Sequence, residues 1–549
     1  MLSVREVVAG SVASSGADTV FALMGAANQE LVCDLEERCR MRLVHVRHEA
    51  GAVGMADGYA RFSGRLGVAT VTAGPGVTNT ATSLAVARAH CSPVLLLAGD
   101  IPAGDVRNPQ YFEQNSFTRL CAGAGGRVGH PGGLAGLLRS AADALSADLP
   151  FALHLPVDVQ EKPAETLEAV SLREPADPGD AAEPAETEVA KAVQLLAAAR
   201  RPVVLAGRGA LAARDVLAEL AQSLGAPLVT TLRAAGLFAG HPLEAGVAGA
   251  MGDGRALRLL ESADLVVAAG TSLHPLAASP SGICQGSPVL VRIDAAPPLG
   301  AWVYGADLRA DTRIGAGRLL RRLAARGSTG PAPSMLSGTF GSWAGRTEDR
   351  RTGTGVHPLD ALEEVRGLLP EQRLLVIGGG HASLSACQLL PASAPRDFTC
   401  VSTDFGAIGQ SLPVAIGACF ARPGQRVFNV TADGELMMSI AEFHTAVRYR
   451  LPLTVVVLND HGFGQERHNL TRAGRSTYHA NHPTPDLVSF AQAMGATGYR
   501  VTHPDELVNL KQGFNHQQGV VLIDIHIDPS YLNPASAYVA SAMSRRAQQ

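Results

Sequence analysis

Lysine is scarce in this chain. Only Lys162, Lys191 and Lys511 occur among 549 residues, and arginine supplies nearly all the positive charge. That leaves little choice for a lysine catalyst. Net charge is −4 and no basic patch stands out, which argues against a nucleic-acid partner. Charged residues make up 17% and hydrophobic ones 46%, a balance that fits a packed α/β enzyme and argues against disorder. None of the eight cysteines forms a CxxC pair: they stand at 33, 39, 91, 121, 284, 387, 400 and 419. They read as small buried hydrophobes in a reducing compartment. No apolar run is long enough to span a bilayer. Arg5, Glu6 and Asp18 interrupt any signal-peptide core. The expectation is a cytoplasmic protein with no membrane partner.

A chain of this length exceeds one core and should form two to four domains. Two stretches look like linkers. Lys162–Glu188 is rich in Pro, Ala and acid, and Gly327–Gly355 is rich in Gly, Ser and Thr. They leave three blocks, 1–165, 186–330 and 356–535. Each alternates apolar strand-like runs with helical patterns: "LGVATVT" and "PVLLLAGD", then "RPVVLAGRG" and "DLVVAAG", then "RLLVIGGG" and "VVLIDIHID". This rhythm predicts three α/β domains, each with a doubly wound parallel sheet.

The stretch "ADGELMMSIAEFHTAVRYRLPLTVVVLND" (Ala432–Asp460) reads as the later part of a strand–turn–helix–strand unit. "RVFNVT" before it is β-rich, "ADG" signals a turn, and Ile440, Phe443, Ala446 and Val447 recur at helical spacing. Pro452 stops the helix, and "LTVVVL" suits a parallel strand buried on both faces. Asp433 and Asn459 then lie at C-terminal strand ends, the edge where open α/β sheets bind ligands. A carboxylate and a carboxamide there suit a hard cation such as Mg2+, shared with a phosphate on the N–H groups that open the helix. The same pattern also fits an ordinary βαβ unit with a solvated Asp and a capping Asn.

The first block contains "VHVRHEAGAVGMADGYARFSGRLGVATVTAGPGVTN" (Val44–Asn79). Together with the Asp433–Asn459 unit, this resembles the thiamine-diphosphate enzyme family of the acetolactate synthase and benzaldehyde lyase type. The resemblance runs over nearly the whole chain and implies pyrimidine-binding, middle and diphosphate-binding domains, in that order. One departure is Ala432, where the family's GDG begins with glycine. The resemblance makes Asp433, Asn459 and the backbone carbonyl of His461 the Mg2+ ligands. It gives the diphosphate the backbone N–H groups of Gly434 and Glu435 and the loop Gly380, His381 and Ala382. It places Gly74 and Asn79 of "GPG-TN" at the cofactor. In "FGAIG", Ile408 becomes the wedge that bends the cofactor, and the Gly406 carbonyl receives its 4′-amino group. Glu49 of "RHE" becomes the carboxyl that shares a proton with N1′ of the aminopyrimidine, a task that burial assists. Locally, Glu49 also reads as a helix-start residue.

Other residues are less marked. Gln110 aligns with a substrate-side Gln of the family, with Gln114 as the rival alignment. Asn28 falls among pocket residues, or is an N-cap. His90 is read as facing the cofactor from a strand, or as an ordinary satisfied polar group. Arg467 is read as meeting a substrate carboxylate or as part of a solvated helix face. "LAGRG" (Leu205–Gly209) resembles the region that holds FAD in acetolactate synthases, but a strand–turn–helix without ligand is favoured. Val157 stands where those synthases carry Lys, and no Trp follows Asn459. The resemblance therefore implies a thiamine-diphosphate- and Mg2+-dependent carboligase. It would decarboxylate a 2-oxo acid and pass the acyl group to an aldehyde or ketone. Alternatives are a simple decarboxylase or C–C lyase, an FAD-containing oxidase, and a non-catalytic binding protein on the same fold. A homodimer or homotetramer with active sites between subunits is expected.

Overall fold

The computed structural model describes residues 1–164, 169–173, 183–249, 251–252, 254–273, 288–297, 303–325, 355–514, 518–533 and 536. Much of the first expected linker, and nearly all of the second, lies outside these residues. No described helix is long and apolar enough to cross a membrane. The chain divides into two compact units. The first comprises Met1–Ala176, Gln372–Gly380 and Cys400–Ile527; the second comprises Asp177–Glu371, His381–Thr399 and Asp528–Gln549.

Three six-stranded sheets carry the fold. In the first, β1 (Thr19–Ala22), β2 (Arg42–His45), β3 (Gly67–Val71), β4 (Val94–Asp100), β5 (Gly125–Arg127) and β6 (Phe151–Pro156) run in the order β2-β1-β3-β4-β6-β5. In the second, β7 (Pro202–Ala206), β8 (Leu228–Thr230), β9 (Glu244–Val247), β10 (Leu265–Ala269), β11 (Val289–Ile293) and β12 (Ala306–Leu308) run β12-β11-β10-β7-β8-β9. In the third, β13 (Leu374–Ile377), β14 (Phe398–Cys400), β15 (Val427–Ala432), β16 (Leu453–Asn459), β17 (Thr497–Val501) and β18 (Val521–His526) run β14-β13-β15-β16-β18-β17. All six apolar runs named from the sequence are strands, at β3, β4, β7, β10, β13 and β18. β4, β7, β10, β13 and β16 are buried along their whole length, as parallel strands covered on both faces must be.

Within the first unit, one hydrophobic core draws on both the first and third sheets. Its centre is a helix crossing. Helix α1 (Glu49–Ser63) starts after His48, whose side chain accepts from Ala50 N, and ends at Gly64 in the left-handed region at φ 73°. Helix α2 (Ser411–Ala421) is buried at every residue. The two touch backbone to backbone. A Cβ on Gly58 would overlap the Val414 carbonyl, and one on Gly417 would overlap the Met55 carbonyl. Neither obstacle is a flexible side-chain tip, so Gly417→Ala is expected to cost about 1–3 kcal/mol through overpacking. A lowered thermal midpoint checks this; an unchanged midpoint contradicts the crossing described.

Two local readings need correction. The expected single helix after β15 is two, α3 (Asp433–Met438) and α4 (Ala441–Arg448), and "ADG" is the start of α3 rather than a free turn. The cysteine reading holds for Cys387, Cys400 and Cys419, but Cys33 is exposed and Cys39, Cys91 and Cys121 are half-buried. Cys284 lies outside the described residues.

Candidate active site

β15 and β16 are parallel neighbours, with Ala432 paired to Leu458. Asp433 and Asn459 therefore leave the sheet at the same edge. Asp433 is buried. Its Oδ2 accepts from Gly462 N at 3.1 Å and from Thr484 Oγ1 at 2.5 Å, while Oδ1 is buried without a hydrogen-bond partner. Burial is the main cause raising the Asp433 carboxyl above its ordinary range, opposed by hydrogen bonds from Thr484 and the backbone. Asn459 donates from Nδ2 to Asp524 Oδ1 at 2.8 Å, and its Oδ1 accepts from His461 N at 3.1 Å. His461 holds φ 57°, in the left-handed region uncommon for residues other than glycine. Asp460 is pushed up to about 6, by burial first and then by the neighbouring Asp433 charge; Arg467 opposes this at 2.9 Å.

The donor set suits a hard cation. A buried carboxylate oxygen without a donor and a carboxamide oxygen at the same strand edge suit Mg2+, which keeps few protein ligands and shares itself with phosphate; the His461 carbonyl accepts from His482 N at 3.0 Å. Among the described residues no group of three His, Cys, Asp or Glu side chains is placed to hold a metal. A cavity of about 310 Å³ opens beside Asp433, between Gly434, Met438, Phe463 and His482. Its lining comes from the part of the chain that builds the third sheet.

The surrounding loops are tied together. Glu435 is buried, and its carboxylate accepts from Gly379 N, Ser411 N and Thr431 Oγ1. It thereby fastens the loop after β13 to the start of α2. Gly380 holds φ 105°, and a Cβ there would lie 3.2 Å from the Ala432 methyl. A glycine facing position 432 thus explains how alanine is accommodated there. In the loop Phe405–Gly409, Gly406 and Gly409 hold φ 72° and 83°, while Phe405 and Ile408 stay 64% and 40% exposed. His381 and Ala382 fall in the second unit, His381 buried and Ala382 at the N-cap of the helix Ser383–Leu389.

The second group of residues gathers on the first sheet. Glu49 is the first residue of α1, as its helix-start reading implied, although the cap is His48. Asn79 Nδ2 donates to Glu49 Oε2 at 3.0 Å. Glu49 Oε1 passes 3.7 Å from where Gly76 would carry a Cβ, an ordinary contact; it is the Thr72 methyl, at 2.9 Å, that a side chain there would crowd. Gly74 holds φ 64° and has Gln110 against it. Gln110 is exposed; Gln114 is buried, accepts from Gly74 N at 3.3 Å and lies 3.0 Å from His154 Nδ1. Burial drives His154 down to about 3, so it is a neutral brace for Gln114.

Several singles turn out differently. Asn28 occupies an N-cap position but makes no capping bond; its amide serves Gly25 N, Leu23 O and Thr70 Oγ1. His90 ends a helix, not a strand, and bonds Asp404 at 2.8 Å. Arg467 is held by Asp460 and Asn481 rather than presented to a substrate. Three residues escaped the sequence reading. Glu442, on α4, receives the backbone N–H groups of Arg47 and His48 immediately before Glu49. Thr484 and Asp524 fix the two candidate metal ligands. The only sequence signal was an acid inside the apolar run "VVLIDIHID".

Three family models match the chain. Their descriptions are thiamine pyrophosphate enzyme, N-terminal TPP binding domain (residues 2–121), central domain (189–309) and C-terminal TPP binding domain (378–525). The chain is 30% identical to the probable 2-ketoarginine decarboxylase of Pseudomonas aeruginosa, across 93% of this chain and 92% of that one. It is 29% identical to the acetolactate synthase isozyme 3 large subunit of Escherichia coli, across 96% of each. It is also 29% identical to a sulfoacetaldehyde acetyltransferase of Alcaligenes xylosoxydans xylosoxydans, across 90% of this chain and 87% of that one.

Proposed function

The chain belongs to the thiamine pyrophosphate-dependent enzyme family, and on that premise we propose that it decarboxylates a 2-oxo acid and passes the remaining acyl group to an aldehyde or ketone. The observation that carries the reading is the buried, unpartnered Asp433 Oδ1 beside Asn459, the donor set for a Mg2+-bound diphosphate. Bound thiamine diphosphate would supply the carbanion stabilisation that loss of CO2 requires. The chain supplies position and proton. Asp433, Asn459 and the His461 carbonyl hold the cation. Gly434, Glu435 and Gly380 offer backbone N–H groups to the diphosphate, and Gly406 and Ile408 shape the thiazolium side. Asn79 occupies Glu49 Oε2, which leaves Oε1 to hold the proton shared with N1′ of the aminopyrimidine. Gln110, over Gly74, faces the substrate side; Asn28 steadies the Gly25 turn that borders it.

A carboligase is favoured because two of the three relatives carry synthase or acyltransferase names. A simple decarboxylase or C–C lyase is the second reading, supported by the decarboxylase relative. Membership of this family supports a homodimer or homotetramer with the site shared between subunits. FAD is not part of the reading. We place the enzyme in the cytoplasm, where its free thiols persist.

The test is a screen of 2-oxo acids for CO2 release with thiamine diphosphate and Mg2+, with and without added aldehydes or ketones. The expected result is cofactor-dependent release and a new C–C product with one acceptor, from a colourless protein of dimeric or tetrameric mass. Release with the protonated aldehyde as sole product would favour the second reading. No release from any 2-oxo acid would count against both.

A further inference from the structure

Asparagine offers a donor at one end of its amide and an acceptor at the other, so a ligating Asn must be told which end to turn to the cation. A carboxylate ligand likewise has one oxygen to give and one to anchor. The ends of β16 and β18 settle the first, and Thr484 with Gly462 N settles the second. Val457 pairs with Asp524 and Asn459 with His526, so the two-residue period places Asn459 and Asp524 on one face of the sheet. Asp524 is buried, and as a carboxylate it can only accept. It takes Asn459 Nδ2 at 2.8 Å, which turns Asn459 Oδ1 the other way, towards His461 N. Its second oxygen lies 3.1 Å from His526 Nε2, and the His526 ring meets the His461 ring edge-on at 4.8 Å. Ile527 N also donates to the Asn459 carbonyl at 2.9 Å. On the other ligand, Thr484 Oγ1 and Gly462 N both occupy Asp433 Oδ2, and Oδ1 is the oxygen left over.

We propose that Asp524 and Thr484 are positioning residues that choose the ligating oxygens: Asp524 presents Asn459 Oδ1, and Thr484 presents Asp433 Oδ1, to the cation. The inference rests on the metal reading above, and goes beyond it by assigning the residues that orient the ligands. Asp524→Asn can offer its own N–H to Asn459 Oδ1. His526 Nε2, which donates to the carboxylate oxygen facing it, holds the oxygen of the new amide on its own side, so the N–H faces Asn459, whose amide turns over and points a donor at the cation. Thr484→Val removes the hydroxyl that anchors Asp433 Oδ2, while Thr484→Ser keeps it. Outer-shell partners of this kind typically set metal affinity by roughly 10–100-fold.

The experiment is Mn2+ binding to the full chain, read from the electron paramagnetic resonance signal of free Mn2+ at a fixed concentration of thiamine diphosphate. Thermal melting without metal reports the fold independently. Asp524→Asn and Thr484→Val are expected to bind Mn2+ at least about tenfold more weakly than wild type, with Thr484→Ser close to wild type. Wild-type affinity in a folded Asp524→Asn or in Thr484→Val would overturn the assignment of that residue. If Asp524→Asn does not fold, Asp524→Leu, which leaves the Asn459 amide unanchored, takes its place with the same expected loss. If neither replacement folds, Asp524 is a residue of the fold and its assignment is overturned. Asp433→Ala is the control on the metal reading itself. If Asp433→Ala binds Mn2+ as wild type does, that reading fails; if it alone loses Mn2+, the reading stands and the positioning inference fails.

Discussion

Glu49→Gln is expected to slow turnover by roughly two to four orders of magnitude, the usual worth of positioned acid–base help. Glutamine keeps the size of the side chain and a hydrogen-bonding end, but it cannot hold and return a proton as a carboxyl does. The Asn79 contact at 3.0 Å can survive through the amide oxygen, so the local geometry should change little. Cofactor affinity should therefore move far less than turnover, because the diphosphate anchor is proposed on the other group of residues. Steady-state kinetics and a cofactor titration on the same preparation separate the two. Equal losses in affinity and rate would make Glu49 a binding residue instead.

Asp433→Ala should act in the opposite sense. It removes the only anionic member of the proposed ligand set, and with it the acceptor for Thr484 Oγ1 and Gly462 N. Mg2+-dependent cofactor affinity should fall by at least the roughly 10–100-fold that outer-shell changes cost. High Mg2+ and cofactor should restore activity only in part. Calorimetry measures this directly, and an unchanged affinity in the variant would remove Asp433 from the metal.

What was legible in the sequence was whatever is written locally. Runs such as "LTVVVL" are apolar throughout because their strands are buried on both faces, and Asp433 and Asn459 could be placed at strand ends from those runs alone. The long-range contacts were not legible. Asp524 meets Asn459 across 65 residues, Thr484 meets Asp433 across 51, and Glu442 meets Arg47 across 395. No period within one segment encodes such partners, since each depends on sheet register or on how helices pack. His90 was misplaced for a related reason. Its helix ends at Cys91, a non-glycine residue at φ 59°, so the usual glycine stop signal is missing. The break between α3 and α4 at Ser439 likewise carries no proline or glycine to announce it.

The central claim is that Glu49 manages the proton on which the cofactor's reactivity depends. Hydrogen–deuterium exchange at C2 of bound thiamine diphosphate tests it without knowledge of the substrate. Wild type should exchange quickly, and Glu49→Gln, with cofactor still bound, should exchange slower by roughly two to four orders of magnitude. Equal exchange rates in the two proteins would contradict the role given to Glu49.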